Sequence, residues 1–412
     1  MVLFLALLSQ AVGLLVTSLC LLLAWAVYYH FASTEMPSGI CQPLKIRALH
    51  IFMTMSFGVD YILWKMGLCS QFVFLRIVVD GLPPEKESRL SIKNTFFENV
   101  PVRLYQPRVP CPGKRKGILF IHGGSGIFGS IDAYENVCRY LAWKCDAVVA
   151  SVGYHLAPEY RYPTQFRDCL VATEVFMKST EEYGVNPDQI VICGDSIGGT
   201  LCAFVTQDLV KRTDFPKLRA QVLVGPFLQG LDFNLLSYQQ NRLVPIVSQT
   251  LFLYFILLYI TKNKSVLEFV VEETHIPEDR KEMFKKWLNP EHIPQRVKMR
   301  GSYTEFQPPS YAFDNIYSLM KVITEPALSP LLVEDAIIQQ LPDTFILTCE
   351  FDVLRDDGLL YKKRLEDNGV QVSWCHLQDG FHGVLLLFKR WFLNFPFAQR
   401  GMDSIVNYIN SL

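Results

Sequence analysis

From residue 115 onward, short and mainly apolar runs alternate with segments of helical spacing. "KGILFIHGG" is followed by "AYENVCRYLAWKC", "AVVASVGY" by "PTQFRDCLVATEVFMKST", and "QIVICGDS" by "IGGTLCAFVTQDLVKR"; "AQVLVGP" closes the series. Runs that stay apolar without alternating are buried on both faces of a sheet. Strands that alternate with helices in this way confine a chain to a mostly parallel central sheet with helices on both faces, an α/β fold. The rhythm resumes at "DTFILTCE", "RDDGLLYKKRLEDNG" and "QVSWCHL". Upstream, "VPVRLYQP" alternates like an exposed strand.

Two regions break the rhythm. Residues 31–90 are apolar and aromatic in patches with helical spacing, and residues 227–325 read as an insertion. Within the insertion no charge falls between Val244 and Ile260. That stretch reads either as a second membrane span or as a lid or membrane-contacting helix; Pro245 and its short length favour the lid. His275 and His292 fall in the polar part of the insertion, where solvated side chains are expected. Elements near 40–90 and 227–325 are thus expected to form a helical cap on a body spanning 31–412.

The first 30 residues form a separate unit. Val2 to Tyr29 carry no charged side chain, enough for one helix to cross a bilayer. No Lys or Arg precedes Lys45, unlike the basic start of a signal peptide, so an uncleaved anchor over 1–30 is expected, with cleavage near Ala24-Trp25-Ala26 as the rival. Orientation cues conflict. Lys45 and Arg47 follow the span, which favours a cytoplasmic body. The sequon Asn263-Lys264-Ser265 makes Asn263 a glycosylation candidate, which needs a luminal body.

The near-neutral net charge of −1 and the absence of a basic run exclude nucleic acid as an expected partner. The 11 cysteines are scattered singly, so no metal site is expected. Cys193, Cys202 and Cys349 lie in apolar runs and read as small buried residues.

Ser196 falls in "GDSIGG", where a buried strand ends and a helix begins, with Gly194 and Gly198 on either side. A tight elbow of this kind needs small neighbours and exposes the hydroxyl at a helix N-terminus. Serine is a weak nucleophile without a base and a group to orient that base. In this architecture the chain order is Ser, acid, His. Asp352 follows the strand "TFILTC", and His382 in "DGFHG" follows the next strand. Asp356, Asp357 and Glu350 read as acids favouring a helix N-terminus. His376 reads as structural, and Lys362, Lys363 and Arg364 as a solvated helix face. His122-Gly123-Gly124-Ser125 follows a buried strand, as backbone donors for an oxyanion do, and the Ile197 N–H is a further donor. A phosphate loop is the rival reading, but the G-K-[ST] ending is absent.

With "HGGSG", "YHLAPEYRYP", "GDSIGG", "EFDVLRDDG" and "DGFHG" in this order over residues 115–385, the chain resembles the hormone-sensitive-lipase branch of the α/β hydrolases. Within that branch it looks like the arylacetamide deacetylase-like membrane proteins. The resemblance implies an α/β-hydrolase fold and hydrolysis of lipophilic carboxylic esters or amides without a cofactor. It implies Ser196, Asp352 and His382 as the triad, and His122, Gly123 and Gly124 in the oxyanion loop. It further implies a single-pass type II anchor in the endoplasmic-reticulum membrane, in contact with membrane lipid, with a luminal body. Ser125 departs from the family, which often has a third glycine there. Two rivals stay open: a catalytically silent binder of a lipophilic ligand or partner, and an acyltransferase.

Overall fold

The computed structural model describes residues 2–81, 88–261, 264–300, 313–390 and 393–412; Asn263 lies outside the described residues. The chain opens with helices α1 (Val2–Ser33), α2 (Pro43–Lys65) and α3 (Val73–Asp80). Strands β1 (Leu90–Phe97), β2 (Val100–Pro107) and β3 (Arg115–Ile121) follow. Helix α4 (Glu135–Lys144), β4 (Ala147–Val152), α5 (Thr164–Lys178), β5 (Val185–Asp195), α6 (Ile197–Leu209) and β6 (Ala220–Val224) come next. The buried helix α7 (Gln249–Ile260) then precedes β7 (Asp343–Phe351), α8 (Arg355–Asp367), β8 (Val372–Phe381) and α9 (Pro396–Ser411).

The strands form one 8-stranded sheet in the order β1-β2-β4-β3-β5-β6-β7-β8. Only the β1–β2 and β2–β4 pairings are antiparallel. The parallel part is apolar on both faces, which is why its strands read as continuous apolar runs. Leu119, Ile121 and Ile192 face a core built with α5, α6, α7 and α8. Ile118, Phe120 and Val191 face the opposite core, built with α4 and α9.

The described elements correct two expectations and drop one rival reading. The segment over β2 is no exposed strand: β1 and β4 flank it, and Tyr105 is fully buried with its hydroxyl on Glu135. Residues 244–260 form no span, since α7 has only 12 residues and buries Phe252, Leu253, Phe255 and Ile256 in the core. The second helix long and apolar enough to cross a membrane is instead α2, after α1. Arg364 leaves the solvated face expected for it. Its guanidinium is buried, donates to the carbonyls of Leu331 and Val333, pairs with Asp335 and stacks on Trp287. Lys362 and Lys363 do pair near the surface, with Glu366 and Asp367. Cys193, Cys202 and Cys349 are buried thiols as expected.

Candidate active site

Every parallel strand that contributes to the site ends at the same edge. Residues 122–125 follow β3, Ser196 follows β5, Gly225 follows β6, Asp352 follows β7 and His382 follows β8. Loops at the carboxyl ends of parallel strands are where such sheets gather polar side chains.

The turn at Ser196 is compressed. Its φ of 57° lies in a region L-residues rarely occupy. The Ser196 N–H donates to the Val224 carbonyl at 2.8 Å, which holds the strained backbone against β6. A Cβ on Gly194 would lie 2.2 Å from the Gly198 carbonyl oxygen, and one on Gly198 would lie 2.2 Å from that of Ile121. Both glycines are therefore required for α6 to start this close to β3. Ile197 opens α6, where backbone N–H groups have no intrahelical acceptor.

His382 Nε2 lies 2.9 Å from Ser196 Oγ, and its Nδ1 lies 2.9 Å from Asp352 Oδ2. The other Asp352 oxygen accepts the Leu354 N–H at 2.8 Å, which fixes the carboxylate's direction. Asn241 Nδ2 donates to the Asp352 carbonyl at 2.9 Å. Burial alone would lower the His382 pKa, but the charge and hydrogen bond of Asp352 outweigh it and raise the imidazole above its ordinary value. Such a relay can take a proton from a hydroxyl and hold it as imidazolium beside a carboxylate.

The 122–125 loop closes against Ser196. A Cβ on Gly123 would lie 3.2 Å from Ser196 Cβ, and one on Gly124 would lie 2.3 Å from the Phe128 carbonyl oxygen. The Gly124 carbonyl is held by the N–H groups of Ile127 and Phe128. His122 is buried between rings, with Tyr154 stacked at 4.1 Å, and burial pushes its pKa down to about 4. The imidazole is then neutral near pH 7, so it serves as a packed element of the loop. Ser125 takes a left-handed φ of 57°, a conformation that costs a serine more than a glycine.

The other acid and histidine expectations divide. His275 is not solvated: it is fully buried, stacked on Phe233, and burial pushes its pKa down to about 3. His292 is half-buried in a short turn. His376 is structural, held between Thr348 and Glu350. Glu350 also pairs with Arg300 and Arg355, so it serves an ion-pair network and not a helix terminus. Asp356 and Asp357 do open α8, but they also bind the backbone N–H groups of Ser237 and Leu228.

Two contributors escaped the sequence reading. A Cβ on Gly225 would lie 3.1 Å from Asp352 Oδ2 and 3.6 Å from His382 Nδ1; the glycine in "VLVGP", at the end of a strand, was the available signal. Asp195, beside Ser196, is buried and accepts the Tyr134 hydroxyl at 2.7 Å. Burial pushes its pKa up to about 6, against the opposing effects of His382 and Tyr134.

The chain matches the α/β-hydrolase-fold family over residues 118–277 and 291–386. It is 43% identical to mouse arylacetamide deacetylase-like 3 over 389 residues, covering 94% of each chain. The chain belongs to the arylacetamide deacetylase-like α/β hydrolases. Bovine arylacetamide deacetylase is 35% identical to this hydrolase, over 92% of this chain and 94% of its own. The solved Pyrobaculum calidifontis esterase shares the hydrolase's fold, with a TM-score of 0.62 at 21% identity, covering 91% of this chain and 99% of its own.

Proposed function

We propose that this chain is a membrane-anchored serine hydrolase that cleaves lipophilic carboxylic esters or amides through an acyl-enzyme. Family membership supports the coarser class, carboxylic-ester hydrolase or deacetylase. The finer reading rests on one observation above all: the continuous Ser196–His382–Asp352 chain, with 2.9 Å at each link.

In this reading His382 Nε2 takes the Ser196 proton as Oγ attacks the carbonyl carbon. Asp352 keeps Nδ1 protonated and stabilises the imidazolium. The charge that develops on the carbonyl oxygen is met by the N–H groups of Gly123, Gly124 and Ile197, each worth on the order of 3 kcal/mol. His382 returns the proton to the leaving alkoxide or amine, an acyl-serine remains, and a water activated by the same imidazole releases the acid. Ser125 can offer its own N–H, and its hydroxymethyl narrows the loop.

Residues 1–30 act as a single-pass type II anchor, supported by the apolar length of α1. The body at 31–412, capped by elements near 40–90 and 227–325, faces the lumen of the endoplasmic reticulum. Membrane lipid is then a constant partner.

A fluorophosphonate reacts only with an activated serine. Membrane-bound wild type should label and Ser196→Ala should not, with both folding equally well. If folded wild type fails to label beside an active relative that does, the reading fails and the silent-binder alternative takes its place.

A further inference from the structure

Helix α1 meets the rest of the molecule only along its last third. The described side chains from Phe4 to Leu21 are exposed, whereas Leu22, Ala26 and His30 form an i, i+4 stripe that turns inward. A Cβ on Gly58 of α2 would lie 2.7 Å from Leu22 Cδ1, so the glycine permits close approach. One turn pair further on, His30 Nδ1 lies 3.0 Å from His50 Nδ1, and Arg47 donates to His30 Nε2 at 3.0 Å. Leu22 against Gly58 and His30 against His50 set the two helices antiparallel.

This register fixes a depth. Residues 2–21 extend about 30 Å beyond the seam at 1.5 Å per residue, the thickness of a bilayer's hydrocarbon core. The C-terminal end of α2 points the same way and runs about 10 Å past Gly58. That tip, with the turn after α2, carries Tyr61, Ile62, Met66 and Leu68, between 48% and 67% exposed. Its one charge, Lys65, lies over the rings of Trp64 and Tyr61, the pairing of aromatic ring and snorkelling cation found at membrane interfaces. Buried Asp60 accepts the N–H groups of Phe72 and Leu75, so the chain turns back rigidly into α3.

The same hairpin packs beside the 122–125 loop. Arg76 of α3 donates to the carbonyls of Ile127 and Ala157. Phe57 of α2 and Phe72 at the start of α3 pack on Phe128, just past the 122–125 loop, together with Phe255 of α7.

We infer that the α2–α3 tip, Tyr61–Leu68, is a second membrane contact, inserted in the leaflet where the anchor enters and directing lipophilic esters dissolved there toward Ser196. The inference rests on the reading of α1 as an uncleaved anchor and of Ser196 as nucleophile. The full chain in phosphatidylcholine vesicles containing a diazirine phospholipid is irradiated, and its lipid adducts are mapped by peptide mass spectrometry. Adducts are expected on residues 4–21 and 61–68, with the β1–β2 hairpin clean. Adducts on 4–21 without 61–68 overturn the second contact; none on 4–21 sinks the anchor reading, and the inference with it. A variant carrying Ile62→Asp, Met66→Asp and Leu68→Asp should keep soluble short-ester turnover within about twofold, and lose about tenfold on a long-chain ester held in the same vesicles. Equal retention of both activities overturns the delivery role. If the variant also loses soluble turnover, its fold has failed, and the adduct map of the wild type decides alone.

Discussion

At the scale of single residues, the proposed chemistry makes His382 the group that sets the pH response. Its pKa is raised by Asp352, and it acts as base only when neutral. Turnover at limiting substrate should therefore fall as pH drops through that raised value. Asp352→Asn removes the anion, so the limb should move to lower pH while kcat falls by about a thousandfold or more. A pH–rate profile of both proteins checks this, and an unmoved limb would assign it to another group. Gly225 offers a second residue-scale expectation. With φ at +48° and the Asp–His pair beside it, Gly225→Ala should lower stability by about 1 kcal/mol and kcat by about tenfold. Tm and steady-state kinetics read the two effects. Ser196, Asp352 and His382 were legible as residues because their motifs sit at strand ends in the expected order. His275 was misplaced because composition around a residue says little about burial once distant segments fold over it. The hydrogen-bond partners of Arg364 were equally invisible, since they come from residues 331–335 of a region without regular periodicity.

At the scale of elements, the parallel strands could all be read, although β5 starts four residues before the apolar run that marks it and β8 runs four residues past its own. Burial on both faces removes alternation and leaves uniform apolar runs between helices. The β1–β2 edge was harder to read, because in β1 only the end residues Leu90 and Phe97 are buried and the positions between them follow no clean period. Helix α7 was ambiguous for a related reason: a uniformly apolar helix suits a membrane and a protein core equally well, and only its neighbours decide. Those neighbours give it a measurable role. Phe255 lies 5.1 Å from the Phe128 ring and 6.1 Å from that of Phe57, so Phe255→Ala opens space above the 122–125 loop. The expected result is a loss of about 3–5 kcal/mol by denaturant titration, with acyl preference shifted toward bulkier chains in a competition assay. Unchanged preference would place the acyl group elsewhere.

For the whole molecule, α1 divides near Leu22 into an exposed stretch and a packed one, within the 1–30 segment proposed as anchor. The described side chains of residues 4–21 are exposed, so after deletion of 1–21 Tm and soluble-ester turnover should stay near wild type in detergent. Deleting 1–33 strips the Leu22–His30 stripe from α2 and should lower Tm by several degrees, roughly what a loss of 1–2 kcal/mol produces. Scanning calorimetry of the two truncations distinguishes a docked α1 from a free one; identical melting would mean that the seam contributes nothing. The site itself is long-range. Ser196 and its imidazole partner are separated by 186 positions along the chain. Synthesis runs from the N-terminus, so a ribosome-bound chain presents Ser196 long before it holds the base proposed for it. On the proposed reading Ser196 stays unactivated through most of translation, and hydrolysis begins only once β8 has closed the far edge of the sheet.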